Sequence, residues 1–264
     1  LILFYIFLIY KIVIKLNFNL RISILFFTLL FFNPYIVRSH IFNPVQAHDM
    51  LFFCLGLIFA FSLYYNKFLI NLFTSLISIY LRQSSIALFI GSGLFLIKNK
   101  KIILFLFLFF AYFISLFLIT KMGEKISNDT FPFNLAYGIL YYDFSQINKL
   151  FKFILLALMP FLPLGIIVFG SINKNIKISN IAILLFVCAM LIGQPILGGP
   201  DNTVNNVGRI ANLSYPILTF ACFKIWNFEK IIKKDSLFYI FILGMFFWSL
   251  HPTYSIFKIF GFLR

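Results

Sequence analysis

Charge is what this chain has least of. Only 11% of its 264 residues are Asp, Glu, Lys or Arg, and seven are acidic. Hydrophobic residues make up 62%, and the mean hydropathy is +1.02. A water-soluble domain this apolar could not cover its own surface. Cysteine is scarce too. Cys54, Cys188 and Cys222 lie inside apolar segments with neither disulfide nor metal spacing, so they read as small buried hydrophobes. The chain has no phosphate-cradling Gly-Lys-Ser/Thr loop, no Gly-x-Ser-x-Gly and no His-Glu-x-x-His. ATP-driven transport and the usual serine or zinc hydrolase chemistry therefore have no support. No internal repeat is evident, and neither a cofactor nor a metal site is expected.

What is present is a succession of apolar segments with basic residues at their ends. The candidate spans are 1–14, 22–37, 50–65, 68–81, 84–97, 102–120, 151–171, 178–197, 213–226 and 236–250. A bilayer crossing takes about 20 mostly apolar residues, and backbone polar groups in lipid must be paired within a helix. The expected fold is therefore all-α: a polytopic integral membrane helical bundle of about 9–10 transmembrane segments, forming a single transmembrane domain over 1–264. The chain opens at Leu1 inside an apolar stretch, without Met or a basic leader, and is expected to lack its natural N-terminal portion. The net charge of +15 sits at segment ends, which points to anionic lipid headgroups rather than nucleic acid. Pro160, Pro163 and Pro195 fall within spans and should kink them.

The pair 68–81 and 84–97 is either one long helix carrying Arg82 at mid-depth or two short helices meeting at Arg82-Gln83. The second is preferred, because an ionised Arg facing lipid at the bilayer centre costs about 2.5–3.5 kcal/mol. Placing Lys98-Asn99-Lys100-Lys101 in the cytoplasm then puts 13 basic and two acidic residues on that face, against nine basic and five acidic on the other. The bias follows the positive-inside rule. Stretch 121–149 becomes an outer loop whose aromatics read as an interface belt and part of which fits an amphipathic interfacial helix.

In this arrangement His40, His48, Asp49, Arg82, Gln83, Asp201 and Arg209 fall on the outer face. Asp49 is either a helix cap or a carboxylate beside the titratable His48, usable for proton transfer or for holding a sugar hydroxyl. Arg82-Gln83-Ser84-Ser85 is either a helix junction with a snorkelling Arg or an anion contact at the membrane boundary. Loop 198–212, with Asp201 and Arg209, offers glycines for close backbone approach and amides for sugar hydroxyls.

Leu81-Arg82-Gln83-Ser84-Ser85-Ile86 resembles the GT-C superfamily of membrane glycosyltransferases, and within it the dolichyl-phosphate-glucose α-1,2-glucosyltransferases, which carry an Arg-Gln-Thr-Asn-Ile-type motif at the start of a span. Asn33-Pro34-Tyr35 and Ala47-His48-Asp49 before an apolar helix are similar to the same family, as are, more loosely, Gly208-Arg209 and Tyr215-Pro216. The resemblance covers about residues 33–98; Ser84-Ser85 replaces Thr-Asn, and the aromatic pair before the Asp is absent. It implies a lipid-phosphate-sugar donor, a glycan, lipid or protein acceptor on the non-cytoplasmic side, and an inverting displacement. The family's catalytic carboxylate lies near its N-terminus, so Asp49 is a stand-in candidate here. Arg82 or Arg209 would neutralise the leaving phosphate, with Gln83, His48 and Asp201 as further substrate contacts. The expected location is a bacterial inner membrane, with the active face non-cytoplasmic. The alternatives are a secondary transporter or lipid flippase with its site in the broken 68–97 pair, and a polysaccharide polymerase or ligase.

Overall fold

The computed structural model describes residues 1–33, 47–82, 84–124, 147–169, 171–173, 179–197, 207–228 and 234–250. Among these residues the fold is all-α apart from one two-residue strand pair. The helices are α1 (Ile2–Leu16), α2 (Leu20–Phe31), α3 (Ala47–Tyr64), α4 (Phe68–Ile79), α5 (Ser85–Lys98) and α6 (Ile102–Glu124). After these come α7 (Ile147–Leu158), α8 (Leu162–Phe169), α9 (Ser179–Leu197), α10 (Val207–Ala211), α11 (Tyr215–Ile225) and α12 (Asp235–Leu250). Strand β1 (Ile172–Asn173) pairs antiparallel with β2 (Trp226–Asn227).

Local chemistry sets the reversals. Asn17 closes α1 in the left-handed region (φ 51°), and the Asn19 side chain accepts a 2.8 Å hydrogen bond from the Ile22 amide at the start of α2. Asn is among the few residues that tolerate either role. Asn66 and Lys100 are also left-handed, with φ 55° and 57°. Beyond them the Lys67 amide donates to Ser62 O at 2.7 Å and the Lys101 amide to Leu96 O at 2.9 Å. These are Schellman closures, which satisfy helix-end carbonyls and turn the chain back.

Segment 68–97 is two helices, not one. Ser75 Oγ donates to Leu88 O at 3.2 Å and meets Ser92 Oγ at 2.5 Å, while Ser92 Oγ donates to Asn71 Oδ1 at 2.6 Å. Pairing Asn71 with Ser92 and Ser75 with Leu88 makes α4 and α5 an antiparallel hairpin with Arg82 at its tip. Pro160 sits in a 3₁₀ turn that joins α7 to α8, and Pro195 lies inside α9 near its C-terminus.

The reversals sort the helix ends into two sets. At one end the Tyr65 hydroxyl donates to Lys15 O at 3.2 Å, Lys98 Nζ donates to Asn180 Oδ1, and Arg21 pairs with Asp235 at 2.6 Å. There, too, Lys224 lies over the Tyr64 ring, 4.3 Å from its centroid. The opposite end carries Asn33, Asp49, Arg82 and Arg209. The core runs between them, around α3 and α11, with Phe26, Phe53, Phe59, Phe220 and Phe223 fully buried. Phe26 and Phe223 meet edge-to-face at 4.9 Å, a favoured aromatic geometry.

Two helices, Ala47–Tyr64 and the Ile102–Ile119 part of α6, are long and apolar enough to cross a membrane. They differ in setting: α3 is mostly buried, whereas α6 packs on α4 and α5 by one face, with Leu108 buried, and shows an exposed apolar face on the other side, with Ile103 83%, Phe110 61% and Phe117 62% exposed. The sequence expectation needs one correction in 198–212. Val207–Ala211 is a helix rather than loop, because Val207 and Ala211, four apart, bury one face in the core. Similarly, α6 runs through Lys121 to Glu124 and α7 begins at Ile147, so helix takes up both edges of the expected 121–149 loop. The expected interfacial helix there falls largely outside the described residues.

Candidate functional site

Three of the residues singled out from the sequence meet at one end of the bundle. Asp49 lies in the first turn of α3, its side chain only 1% exposed. The helix begins at Ala47, so Asp49 sits inside the first turn rather than at the cap position. An acidic side chain there is favoured by the helix dipole, but its partners come from elsewhere. Arg82 Nε donates to Asp49 Oδ1 at 2.6 Å, and Arg82 Nη2 closes on the same oxygen. From α10, Arg209 Nε stands 3.4 Å from Asp49 Oδ2. That distance makes an ion pair, yet the geometry is not that of a hydrogen bond, and both atoms lack an aligned partner.

The arrangement follows from the local folds. The tip of the α4–α5 hairpin is held by the Arg82 amide donating to Ser78 O at 3.2 Å and the Ser85 amide donating to Arg82 O at 3.0 Å. This turn aims the Arg82 side chain across to α3. Burial of Val207 and Ala211 fixes α10 and leaves Arg209 on its boundary face. The arginines are 27% and 25% exposed. One buried carboxylate thus faces two guanidinium groups that are about a quarter exposed, and one positive charge remains unbalanced within the triad.

A second contact links the same end of the fold: Asn33 Nδ2, just beyond α2, donates to Asn212 Oδ1 at 3.2 Å, with both residues buried. His48 is exposed, and among the described residues no hydrogen bond or ion pair ties it to the triad. Gln83 and Asp201 lie outside the described residues, as does His40. Asn212, a formal glycosylation acceptor by its Asn-Leu-Ser sequence, is fully buried.

No family model matches this chain, and no curated protein or solved structure is significantly similar to it. The chemistry has to be read from the geometry.

Sequence reasoning missed a second polar group, in the middle of the bundle. Asn71 Nδ2 donates to Ser62 Oγ at 3.2 Å, and Asn71 Oδ1, Ser92 and Ser75 continue the chain of bonds. All four residues are fully buried. Each polar atom has a partner on a neighbouring helix, as expected of polar side chains that tie helices together in an apolar setting. The signal was present: Asn71, Ser75 and Ser78 recur at helical spacing on one face of α4.

Proposed function

We propose that the protein is a multi-pass membrane glycosyltransferase of the GT-C type. In this reading it takes a polyprenyl-phosphate sugar and acts on the non-cytoplasmic face. The observation that carries the reading is the triad. Arg82 and Arg209 share one carboxylate, and the surplus positive charge suits a phosphate. Guanidinium groups match phosphate oxygens with paired donors. Their partial exposure leaves donors free to reach a ligand, while buried Asp49 holds them in place.

A membrane setting is supported by the exposed apolar face of α6, which is oil-like surface without a protein partner among the described residues. It is also supported by the two sets of helix ends. Lys15, Arg21, Lys67, Lys98, Lys100, Lys101, Lys224 and Lys234 gather at the end opposite the triad, in keeping with the positive-inside rule. The helical runs Ile147–Phe169 and Val207–Ile225 cross the bundle as α7–α8 and α10–α11. By contrast α4, at 12 residues, rises only about 18 Å against a hydrocarbon core of about 30 Å. Arg82 at its end would then be recessed in the apolar slab, where an ionised group needs a counter-ion.

In an inverting transfer the acceptor oxygen attacks the sugar C1 and the bond from C1 to the phosphate oxygen breaks. Negative charge grows on the departing polyprenyl phosphate. Pre-positioned cations at that oxygen lower the barrier. Asp49 has both oxygens turned to guanidinium groups, which suits a positioning role. Taking the acceptor proton needs a carboxylate with a free oxygen.

Transfer from a radiolabelled polyprenyl-phosphate sugar in proteoliposomes tests the reading. Arg82→Ala and Arg209→Ala should each lower the rate about a hundredfold or more, the effect of about 2.7–4 kcal/mol found for lost oxyanion donors. Lys should rescue in part, lacking the bidentate fork. Full activity in both Ala variants would remove the arginines from the donor site. The short α4–α5 hairpin favours a second reading, a lipid flippase or transporter. Wild-type protein that moves lipid or solute and transfers no sugar would decide for it.

A further inference from the structure

The triad does not use its charges evenly. Arg82 turns two donors on Asp49 Oδ1, Nε at 2.6 Å and Nη2 beside it. Arg209 meets the other oxygen through Nε alone, at 3.4 Å and without hydrogen-bond alignment. A guanidinium carries five N–H donors, so Arg209 keeps the larger share of its own for a ligand. Among the described residues no further ion pair reaches any of the three. Two guanidinium groups against one carboxylate leave one net positive charge, and Arg82 is the arginine that Asp49 holds more closely. The surplus therefore lies towards Arg209, on the boundary face of α10.

This charge sits where bulk water reaches poorly. Asp49 is 1% exposed, and the arginines are 27% and 25% exposed. At 12 residues α4 rises about 18 Å, and in a hydrocarbon core of about 30 Å its tip with Arg82 is recessed. In such a place the attraction of an anion to a fixed charge grows in proportion to the anion's charge. The cost of taking the anion out of water grows with the square of that charge. One surplus positive charge is thus matched by one negative charge, and a second negative charge on the ligand is left buried without a partner. A sugar linked to lipid through one phosphate is a phosphodiester with a single charge. A sugar linked through a diphosphate carries two.

We propose that Asp49 is a specificity-determining residue: by cancelling one of two arginines it makes the site select lipid-linked ligands with one phosphate over those with a diphosphate. Arg82 is the arginine that it cancels, and Arg209 is the one that meets the phosphate. This selection rests on the reading of the triad as a phosphate site. It holds whether the bound lipid gives up its sugar or is carried across the membrane.

Binding of two matched lipids tests it. Difarnesyl phosphate carries one negative charge, and symmetrical difarnesyl diphosphate has the same chains and carries two. Competition of each against radiolabelled difarnesyl phosphate is measured on the full chain in neutral detergent micelles near neutral pH. The wild type should bind the monophosphate more tightly, by about tenfold or more. Asp49→Asn keeps the shape and adds one positive charge to the site, so the diphosphate should draw level or lead. Arg209→Gln removes the surplus charge, so both lipids should weaken, the diphosphate more. Each variant is scored by the ratio of two affinities, so a smaller folded fraction scales the signal and leaves the ratio where it was. Should Asp49→Asn not fold, the change in Arg209→Gln decides alone. Ratios that do not move in opposite directions, or a wild type that prefers the diphosphate, would overturn the selection and leave the phosphate site standing. Binding of neither lipid to the wild type would remove the phosphate site and the selection together. The expected shifts in a protein that transfers no sugar would sink the glycosyltransferase reading and keep the selection.

Discussion

Arg82→Ala is the sharpest probe of the triad, because the structure sets the size and the sign of its coupling to Asp49. Removing Arg82 strips Asp49 Oδ1 of its 2.6 Å donor and leaves a carboxylate that is 1% exposed facing only Arg209, at 3.4 Å. Two unit charges about 4 Å apart at an effective dielectric near 20 attract by about 4 kcal/mol. Loss of one partner from a buried pair costs about 3–5 kcal/mol. The remaining arginine and the 27% exposure of Arg82 place the expected loss at the low end, about 3 kcal/mol. Asp49→Ala is milder, about 1–2 kcal/mol, since the arginines it abandons are a quarter exposed and can hydrate. In the double variant Arg82 has nothing left to neutralise, so its loss should add little to that of Asp49→Ala. The coupling is then about 2–3 kcal/mol, far beyond the ~0.5 kcal/mol scatter of independent sites. Unfolding in mixed micelles, followed by Trp226 and Trp248 fluorescence, measures all four corners of the cycle. Additive losses would refute the idea that a buried charge is being neutralised here.

Gly91 lies where α5 meets α3 and α9. A Cβ there would overlap Val187 Cγ2 and stand 3.0 Å from Phe59 Cζ, so Gly91→Ala should destabilise by about 1–3 kcal/mol through overpacking, read in the same unfolding assay. Gly165→Ala, with open space around the new methyl, should not destabilise. Asn71→Leu should cost about 1–3 kcal/mol or more by leaving the Ser62 and Ser92 hydroxyls without their shared partner; a neutral result would mean that the serines re-pair without it. On a Cys-free background, single cysteines at 48 and 100, both exposed positions, should react with impermeant reagent from opposite faces of a sealed vesicle. Labelling of both from one face would break the alternating path of the chain.

The sequence by itself determined the helical class, the reversal at Arg82 and most of the segments, though the expected span 22–37 stops as helix at Phe31 and 151–171 is broken by a 3₁₀ turn at Met159–Phe161. These are local matters. Apolar runs without turn residues extend as helices, and the breaks fall at Asn17, Asn66, Arg82 and Lys100, where short polar residues, a charge or a left-handed conformation stops them. Once the hairpin at Arg82 is granted, alternation alone sends Asp49, Arg82 and Arg209 to one end. What alternation could not say is which of the polar residues at that end would touch. Tertiary packing decided that both oxygens of Asp49 face arginines while its neighbour His48 stays exposed. It also drew Val207–Ala211 out of a loop that its glycine and asparagines suggest and into a helix. It joined Asn33 to Asn212 across 179 residues of chain, and it made Asn71, Ser75 and Ser92 a buried ladder. Side chains one residue apart on a helix point about 100° apart, so sharing a loop does not mean sharing a site. Contacts between distant segments depend on how whole helix faces pack together, and one sequence window carries too little information to specify that.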